Sequence, residues 1–158
     1  MLRTFGGLEL VGSKVTRQRP LLLLAYLVSK GGRLKRSELA EGFYSPQVDR
    51  SDNLTTDLAR LRQGGLPDCV VVDGGHLQVT VPSDYKEFRE LLVANRVREA
   101  VERYRGPFLH GFTMPARRGR ASAVDSSVET WVHSVRRETA DAVLASLVLL
   151  IRQALARH

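Results

Sequence analysis

The chain has 158 residues, of which 43% are hydrophobic and 26% charged, as expected of a folded protein with one domain or two small ones. Its formal net charge is +7, and the segment from Lys14 to Arg36 carries seven basic residues and no acidic one, which favours a polyanionic partner. The single cysteine, Cys69, excludes an intrachain disulfide and a cysteine metal cluster, and it fits a reducing cytoplasm.

The sequence also argues against secretion, membrane insertion and catalysis. No apolar leader follows Met1, and the apolar runs over 21–28 and 147–151 are both too short to span a bilayer. We therefore predict a soluble, cytoplasmic protein. The four histidines are far apart, and the chain contains no GxxxxGK, HExxH or GxSxG pattern. We expect no enzymatic activity, no metal and no cofactor.

Residues 2–18 predict three short strands, the third of them over 14–18, and one of the turns between them lies at Gly6-Gly7. A helix follows, with Pro20 at its first position and a nearly continuous apolar run over 21–28 that predicts burial on most sides. Residues 33–36 then predict a short, basic, extended link to the next helix.

Residues 37–63 predict two helices joined by a turn. The first opens at Ser37, a favourable N-cap, and ends before Pro46. The second starts near Ser51 or Asp52, and its leucines form a single apolar stripe at helical spacing. Small, polar and cationic residues occupy the opposite face, as a DNA recognition helix requires. An ordinary solvated helix on a globular domain is the alternative interpretation.

The segment 70–81 predicts a hairpin, because apolar residues alternate on both sides of Gly74-Gly75, a pair suited to a two-residue turn. Three helices followed by a hairpin form a winged helix, so we predict a winged-helix DNA-binding domain over residues 1–82. In that fold the hairpin contacts the minor groove or the backbone beside the recognition helix.

Residues 83–158 predict a smaller helical domain. Two short amphipathic helices within 84–104 precede a loop with a basic tetrad, 117–120, which would either grip phosphate or be solvated and flexible. A long helix follows over 125–157, and its second half is apolar around most of its circumference. This helix needs cover, either from a second copy in a symmetric dimer or from the winged helix onto which it folds back. The residues predicted for a dimer interface are Trp131, Val135, Leu144, Leu147, Val148, Ile151 and Leu155.

Both halves of the chain carry a family resemblance. The first half contains RQRPLLLLAYLVSKGGRLKRSELAEGFY, NLTTDLARLRQ and VVVDGGHLQV, and the second contains DYKEFRELL, EAVERYRGPFLHGF and ETWVHSVRRE. Together these segments resemble the winged helix of the response-regulator type joined to a bacterial transcriptional activator domain, as in the Streptomyces antibiotic regulatory protein family. The resemblance implies an α+β, mostly α fold with a truncated, tetratricopeptide-like helical domain after the winged helix.

The function predicted is a sequence-specific, DNA-binding transcriptional regulator that binds double-stranded DNA as a homodimer, with RNA polymerase or another regulator as a further partner. The helix over 52–63 would enter the major groove, although Asp52 and Asp57 oppose close approach of phosphates on their side. The residues predicted to contact bases are Asn53, Thr56, Ala59, Arg60 and Gln63. Those predicted to contact the DNA backbone are Arg33, Lys35, Arg36, Arg50, Thr55, Arg62 and His76.

A helical protein–protein interaction adaptor is the alternative from a different functional class. In that case the winged helix would be a scaffold, its basic faces would bind an acidic protein, and the terminal helix would form the partner surface. Salt dependence separates the two hypotheses, because DNA binding through several phosphates weakens by orders of magnitude as salt rises.

Overall fold

The computed structural model describes residues 1–64, 66–114 and 122–157. Within these ranges the chain is an α+β protein, mostly helical, with six helices and two small antiparallel sheets. The basic tetrad at 117–120 lies outside the described residues. The helices are α1 (Gln18–Ser29), α2 (Arg36–Phe43), α3 (Arg50–Gln63), α4 (Asp84–Val93), α5 (Val97–Arg103) and α6 (Ser127–Leu155). The strands are β1 (Leu2–Arg3), β2 (Glu9–Leu10), β3 (Arg33–Lys35), β4 (Val70–Asp73) and β5 (His76–Val79).

The N-terminal segment forms a two-stranded sheet in which Leu2 pairs with Leu10. The third strand predicted for this segment is wrong, because residues 14–17 have no regular secondary structure. They are instead tied to the end of α3: the Lys14 N–H donates to the carbonyl of Gly64 over 2.8 Å. A hydrogen bond to the end of α3 thus takes the place of the strand pairing predicted for this segment.

Helix α1 lies at the centre of the first half, with every residue over 20–28 buried. Pro20 is its third residue rather than its first, a position that still lies among the residues whose N–H groups have no helical acceptor. After the helix, Gly31 and Gly32 adopt φ angles of 97° and 80°, which residues with a side chain rarely adopt. The Gly32 N–H donates to the carbonyl of Leu27, which closes the helix.

Helix α2 begins at Arg36, one residue before the predicted N-cap. Ser37 is therefore an exposed residue of the first turn. The carboxylate of Glu38 accepts a hydrogen bond of 3.2 Å from the Lys35 N–H. A glutamate in the first turn thus satisfies the backbone at the helix start, where the sequence predicted a serine.

The second sheet has three antiparallel strands in the order β3-β5-β4. The predicted hairpin is confirmed, since β4 and β5 meet at Gly74-Gly75, whose φ angles of 53° and 79° suit a two-residue turn. The basic link is extended over 33–35, as predicted, and in addition it forms a strand that pairs with β5, which the sequence did not predict. This pairing places the basic residues of β3 directly beside the hairpin.

Helix α6 has 29 residues and two different environments. The helix packs against α2 and α5, and its first half buries Val128 and Val132. Its second half exposes large apolar side chains, with Leu144, Ile151 and Leu155 exposed by 61%, 58% and 71%. The helix therefore folds back onto the rest of the chain along one face, which is buried at Val143 and Ser146 in the second half as well, and leaves the opposite face of that half exposed.

Asp84, at the start of α4, joins the two halves of the chain. Its buried carboxylate accepts hydrogen bonds from the Thr4 N–H (2.9 and 3.0 Å), the Thr4 hydroxyl (2.7 Å) and the Phe5 N–H (3.0 Å). The Phe5 ring then packs against Phe88 and Tyr104, at centroid distances of 5.3 and 5.1 Å. One cluster of buried side chains consequently runs through both predicted domains.

We expect Asp84→Ala to lower the free energy of unfolding by about 3 kcal/mol, because the buried N–H groups of Thr4 and Phe5 lose their acceptor. Chemical denaturation followed by circular dichroism measures the change. The control is Asp68→Ala, at an exposed aspartate, which should shift the same free energy by less than about 0.5 kcal/mol. Equal stability of the two variants would contradict this role of Asp84.

Candidate nucleic-acid interface

Helix α3 begins at Arg50, slightly earlier than predicted. The carboxylate of Asp49 accepts a hydrogen bond of 2.8 Å from the Asp52 N–H, and the Asn53 amide donates to the Asp49 carbonyl over 2.8 Å. Asp49 is therefore the N-cap, whereas the sequence predicted a helix start near Ser51 or Asp52. Asn53, a predicted base contact, is engaged in holding this helix end.

The inner face of α3 carries the predicted apolar stripe together with one carboxylate. Leu54, Leu58 and Leu61 are buried, as the sequence predicts. Asp57 is also buried, with 0% of its surface exposed. Its predicted effect on approaching phosphates is therefore wrong, because the side chain points into the protein.

Three side chains from separate parts of the chain surround the Asp57 carboxylate. Arg19 of α1 donates through Nε to Oδ2 (2.7 Å) and through Nη2 to Oδ1 (3.0 Å). The Tyr44 hydroxyl donates to Oδ2 over 2.7 Å, and Arg60 Nη1 donates to Oδ1 over 3.2 Å. Burial and, next, the charge of Asp57 raise the pKa of Tyr44 well above its usual value, so the hydroxyl stays protonated and donates.

Arg60, a predicted base contact, lies at the boundary between the inner and outer faces of α3. Its side chain is 32% exposed, and its Nη1 is bound to Asp57. The Nε–Nη2 edge of the Arg60 guanidinium makes no hydrogen bond to the described residues.

The outer face of α3 presents most of the other predicted contact residues. Thr55, Arg62 and Gln63 are exposed, and Thr56 and Ala59 are half-buried. Within this helix, the face is composed of small, polar and cationic side chains, apart from the exposed carboxylate of Asp52 in the first turn. Such a surface can approach a polar polyanion closely.

Two residues predicted to contact the DNA backbone are bound within the chain. Arg50 is half-buried, and its Nε donates to the carbonyl of Tyr44 over 3.1 Å. Arg36 Nη2 donates to the Thr55 hydroxyl over 2.7 Å. Arg50 thus holds the turn before α3, whereas Arg36 connects the start of α2 to the outer face of α3.

The outer face of the three-stranded sheet carries further cationic side chains. Arg33 and Lys35 are two residues apart on β3 and share one face, where Lys35 lies opposite His76 of β5. Arg33 forms an exposed ion pair of 3.2 Å with Asp73. The Arg36 N–H donates over 2.9 Å to a carbonyl of the hairpin turn, which holds the turn against the start of α2. Arg36 thus links the hairpin turn to Thr55 on the outer face of α3.

A short segment before α6 holds the turn between α2 and α3. Tyr44 and Val124 form an antiparallel bridge. Main-chain hydrogen bonds of 3.0 and 2.9 Å join the flanking residues, from Ser45 to Ala123 and from Asp125 to Phe43. The sequence predicted a loop here, because a single bridge needs no alternating pattern that would reveal it.

Two residues predicted for a dimer interface pack inside the chain. Trp131 Nε1 donates to the Ser29 hydroxyl over 3.0 Å, and its ring lies edge-on to Tyr26 and Phe108 at 4.9 and 5.6 Å. Val135 is buried, with 5% of its surface exposed. These contacts correct their assignment to a dimer interface. The remaining predicted interface residues are exposed on the second half of α6, namely Leu144, Leu147, Val148, Ile151 and Leu155.

Compared with protein-family models and with curated proteins, the chain matches none of them. The resemblance to the Streptomyces family therefore stays a prediction, and function has to be inferred from the site. In the described part of the chain, every helix is too short or too polar to cross a membrane. The same residues bring no three His, Cys, Asp or Glu side chains into a metal-binding group.

Tyr44→Phe should lower the free energy of unfolding by about 2 kcal/mol, because the hydroxyl donates to a buried, charged carboxylate. Thermal and chemical denaturation report the change. The matched control is Tyr104→Phe, since the Tyr104 hydroxyl makes no hydrogen bond to the described residues. The role of Tyr44 is refuted if both variants unfold at the same denaturant concentration as the unsubstituted protein.

Proposed function

We propose that the protein is a sequence-specific DNA-binding transcriptional regulator with a winged-helix fold. Helix α3 would enter the major groove, and the β4–β5 hairpin would contact the flanking backbone or minor groove. The helices after residue 82 would form a short, tetratricopeptide-like domain. The formal charge of +7 favours a polyanionic partner of this kind.

The observation that carries the proposal is the surface formed by the outer faces of α3 and the three-stranded sheet. Its centre is composed of small and polar side chains, which allow a helix backbone to come close to base edges. Exposed cations at its margins, among them Arg33, Lys35 and Arg62, suit contact with phosphates.

The contacts within the chain refine the roles that we propose. Asn53 and Arg50 are assigned to the turn before α3, because their polar groups are already bound there. The proposed base contacts are Thr56, Ala59, Arg60 and Gln63. The proposed backbone contacts are Arg33, Lys35, Arg36, Thr55, Arg62 and His76.

We further propose that two copies associate through the second half of α6. Leu144, Val148, Ile151 and Leu155 follow one another at spacings of four, three and four residues, the spacing of a coiled-coil seam. A seam of this kind is complementary to itself, as a two-fold symmetric interface requires. Its large apolar side chains are 48–71% exposed, which is unfavourable for an isolated helix in water.

Selection from genomic DNA fragments at low salt should enrich one motif with two spaced half-sites. With about six phosphate contacts, affinity for that motif should fall roughly a thousandfold between about 50 and 200 mM salt. Arg62→Ala should weaken binding to all sequences alike, by several-fold, as measured by fluorescence anisotropy. Arg98→Ala, at an exposed arginine of α5, is the control and should leave the affinity unchanged. Absence of any sequence preference would contradict the proposal and favour an adaptor.

Val148→Glu should convert the dimer to a monomer, because it places a charge in the middle of the seam. Sedimentation velocity measures the oligomeric state. Gln153→Glu introduces the same charge on the opposite side of α6 and should leave the dimer intact. A wild-type protein that sediments as a monomer at micromolar concentration would refute the dimer and assign the exposed seam to a different partner.

A further inference from the structure

Four hydrogen bonds reach the buried carboxylate of Asp57, and three of them come from residues other than Arg60. An ionised carboxylate offers about four acceptor positions. Arg19 occupies one position on each oxygen, and the Tyr44 hydroxyl occupies a second position on Oδ2. The bond from Arg60 is the longest of the four, at 3.2 Å. Charge neutralisation and most of the hydrogen bonding are therefore provided without Arg60.

The hydrogen bond between Arg60 and Asp57 restricts the conformation of the Arg60 side chain. Asp57 is the one acceptor that the described part of the chain provides for this side chain. A flexible arginine has to lose rotamer freedom when it binds, and a fixed nitrogen removes part of that freedom in advance. Because Asp57 binds Nη1, the opposite edge of the guanidinium, formed by Nε and Nη2, can donate two parallel hydrogen bonds to a ligand.

We propose that Asp57 is a positioning residue that holds Arg60 for recognition of a guanine in the major groove. This inference rests on the DNA-binding function proposed above. Guanine presents two acceptors there, N7 and O6, at a spacing that matches an arginine fork. Asp57 acts only through Arg60, since its own carboxylate is buried and out of reach of a base.

The charges of the cluster are compatible with DNA at this place. Arg19 pairs with Asp57 through two short hydrogen bonds, which neutralises the carboxylate. Asp57 contributes one negative charge, and Arg19 and Arg60 contribute two positive charges, so the group has a net charge of +1. An unpaired aspartate beside the arginine would instead repel the phosphates.

The test measures base discrimination with operators that differ at single positions. Arg60→Ala first identifies the position at which discrimination is lost. Asp57→Asn should lower the preference for guanine at that position about tenfold and leave the other positions unchanged. Binding to unrelated DNA should remain the same or become slightly tighter, because the variant loses a negative charge. A purely electrostatic role would raise all affinities together and would overturn the proposal.

Two further variants separate positioning from folding. The double variant Asp57→Asn/Arg60→Ala should discriminate no worse than Arg60→Ala alone. Arg19→Gln perturbs the same buried carboxylate and leaves the acceptor of Arg60 in place, so it should reduce stability while discrimination changes less than about twofold. A tenfold loss of discrimination in Arg19→Gln would assign Asp57 a structural role only.

A measurement on the unsubstituted protein keeps the proposal testable if Asp57→Asn does not fold. NMR of the arginine side chains should show slower guanidinium rotation for Arg60 than for exposed Arg62, and equally fast rotation would overturn the positioning role. Absence of any sequence preference in the wild type would refute the DNA-binding function itself. Full discrimination in a folded Asp57→Asn variant would refute the positioning role alone.

Discussion

A carboxylate buried as completely as that of Asp57 is stable as an anion only when cationic and hydrogen-bonding groups surround it. This requirement brings Arg19 from α1 and Tyr44 from the turn after α2 to the same side of α3. Apolar packing of the leucines alone would permit α3 to slide or rotate by small amounts. The directional hydrogen bonds of the carboxylate remove that freedom and set the orientation in which the outer face of α3 meets solvent.

Aromatic contacts extend this constraint across the molecule. A series of ring pairs, with centroids 4.9–6.4 Å apart, leads from the N-terminal sheet to the α2–α3 turn through Phe5, Phe108, Trp131, Tyr26, Phe43 and Tyr44. The last of these rings carries the hydroxyl that binds Asp57. Domains joined by a small polar interface usually move relative to one another. Here the two predicted domains share a single core, so the helical half buttresses the proposed DNA-binding half.

Local patterns in the sequence were sufficient to predict the elements whose conformation depends on neighbouring residues. The hairpin over 70–81 follows from its glycine pair, the apolar stripe of α3 from helical periodicity, and the long terminal helix from its composition. The burial of Asp57 could not be predicted in this way, because Arg19 is 38 residues away in the sequence and a charged residue on a helix is ordinarily solvated. Likewise, periodicity shows that Trp131 is on an apolar face, but it does not show which surface covers that face.

The bridge between Tyr44 and Val124 anchors α6 immediately beside the turn that precedes α3. With 29 residues, α6 extends about 43 Å from that anchor, and its exposed seam begins about 25 Å along it. In a symmetric pair joined at the seam, the length of α6 would set the distance between the two α3 helices. Successive turns of DNA are about 34 Å apart, so the separation of the half-sites would be encoded in the length of this helix. Each residue inserted before the seam would lengthen α6 by about 1.5 Å and would rotate each α3 helix by about 100° relative to the seam.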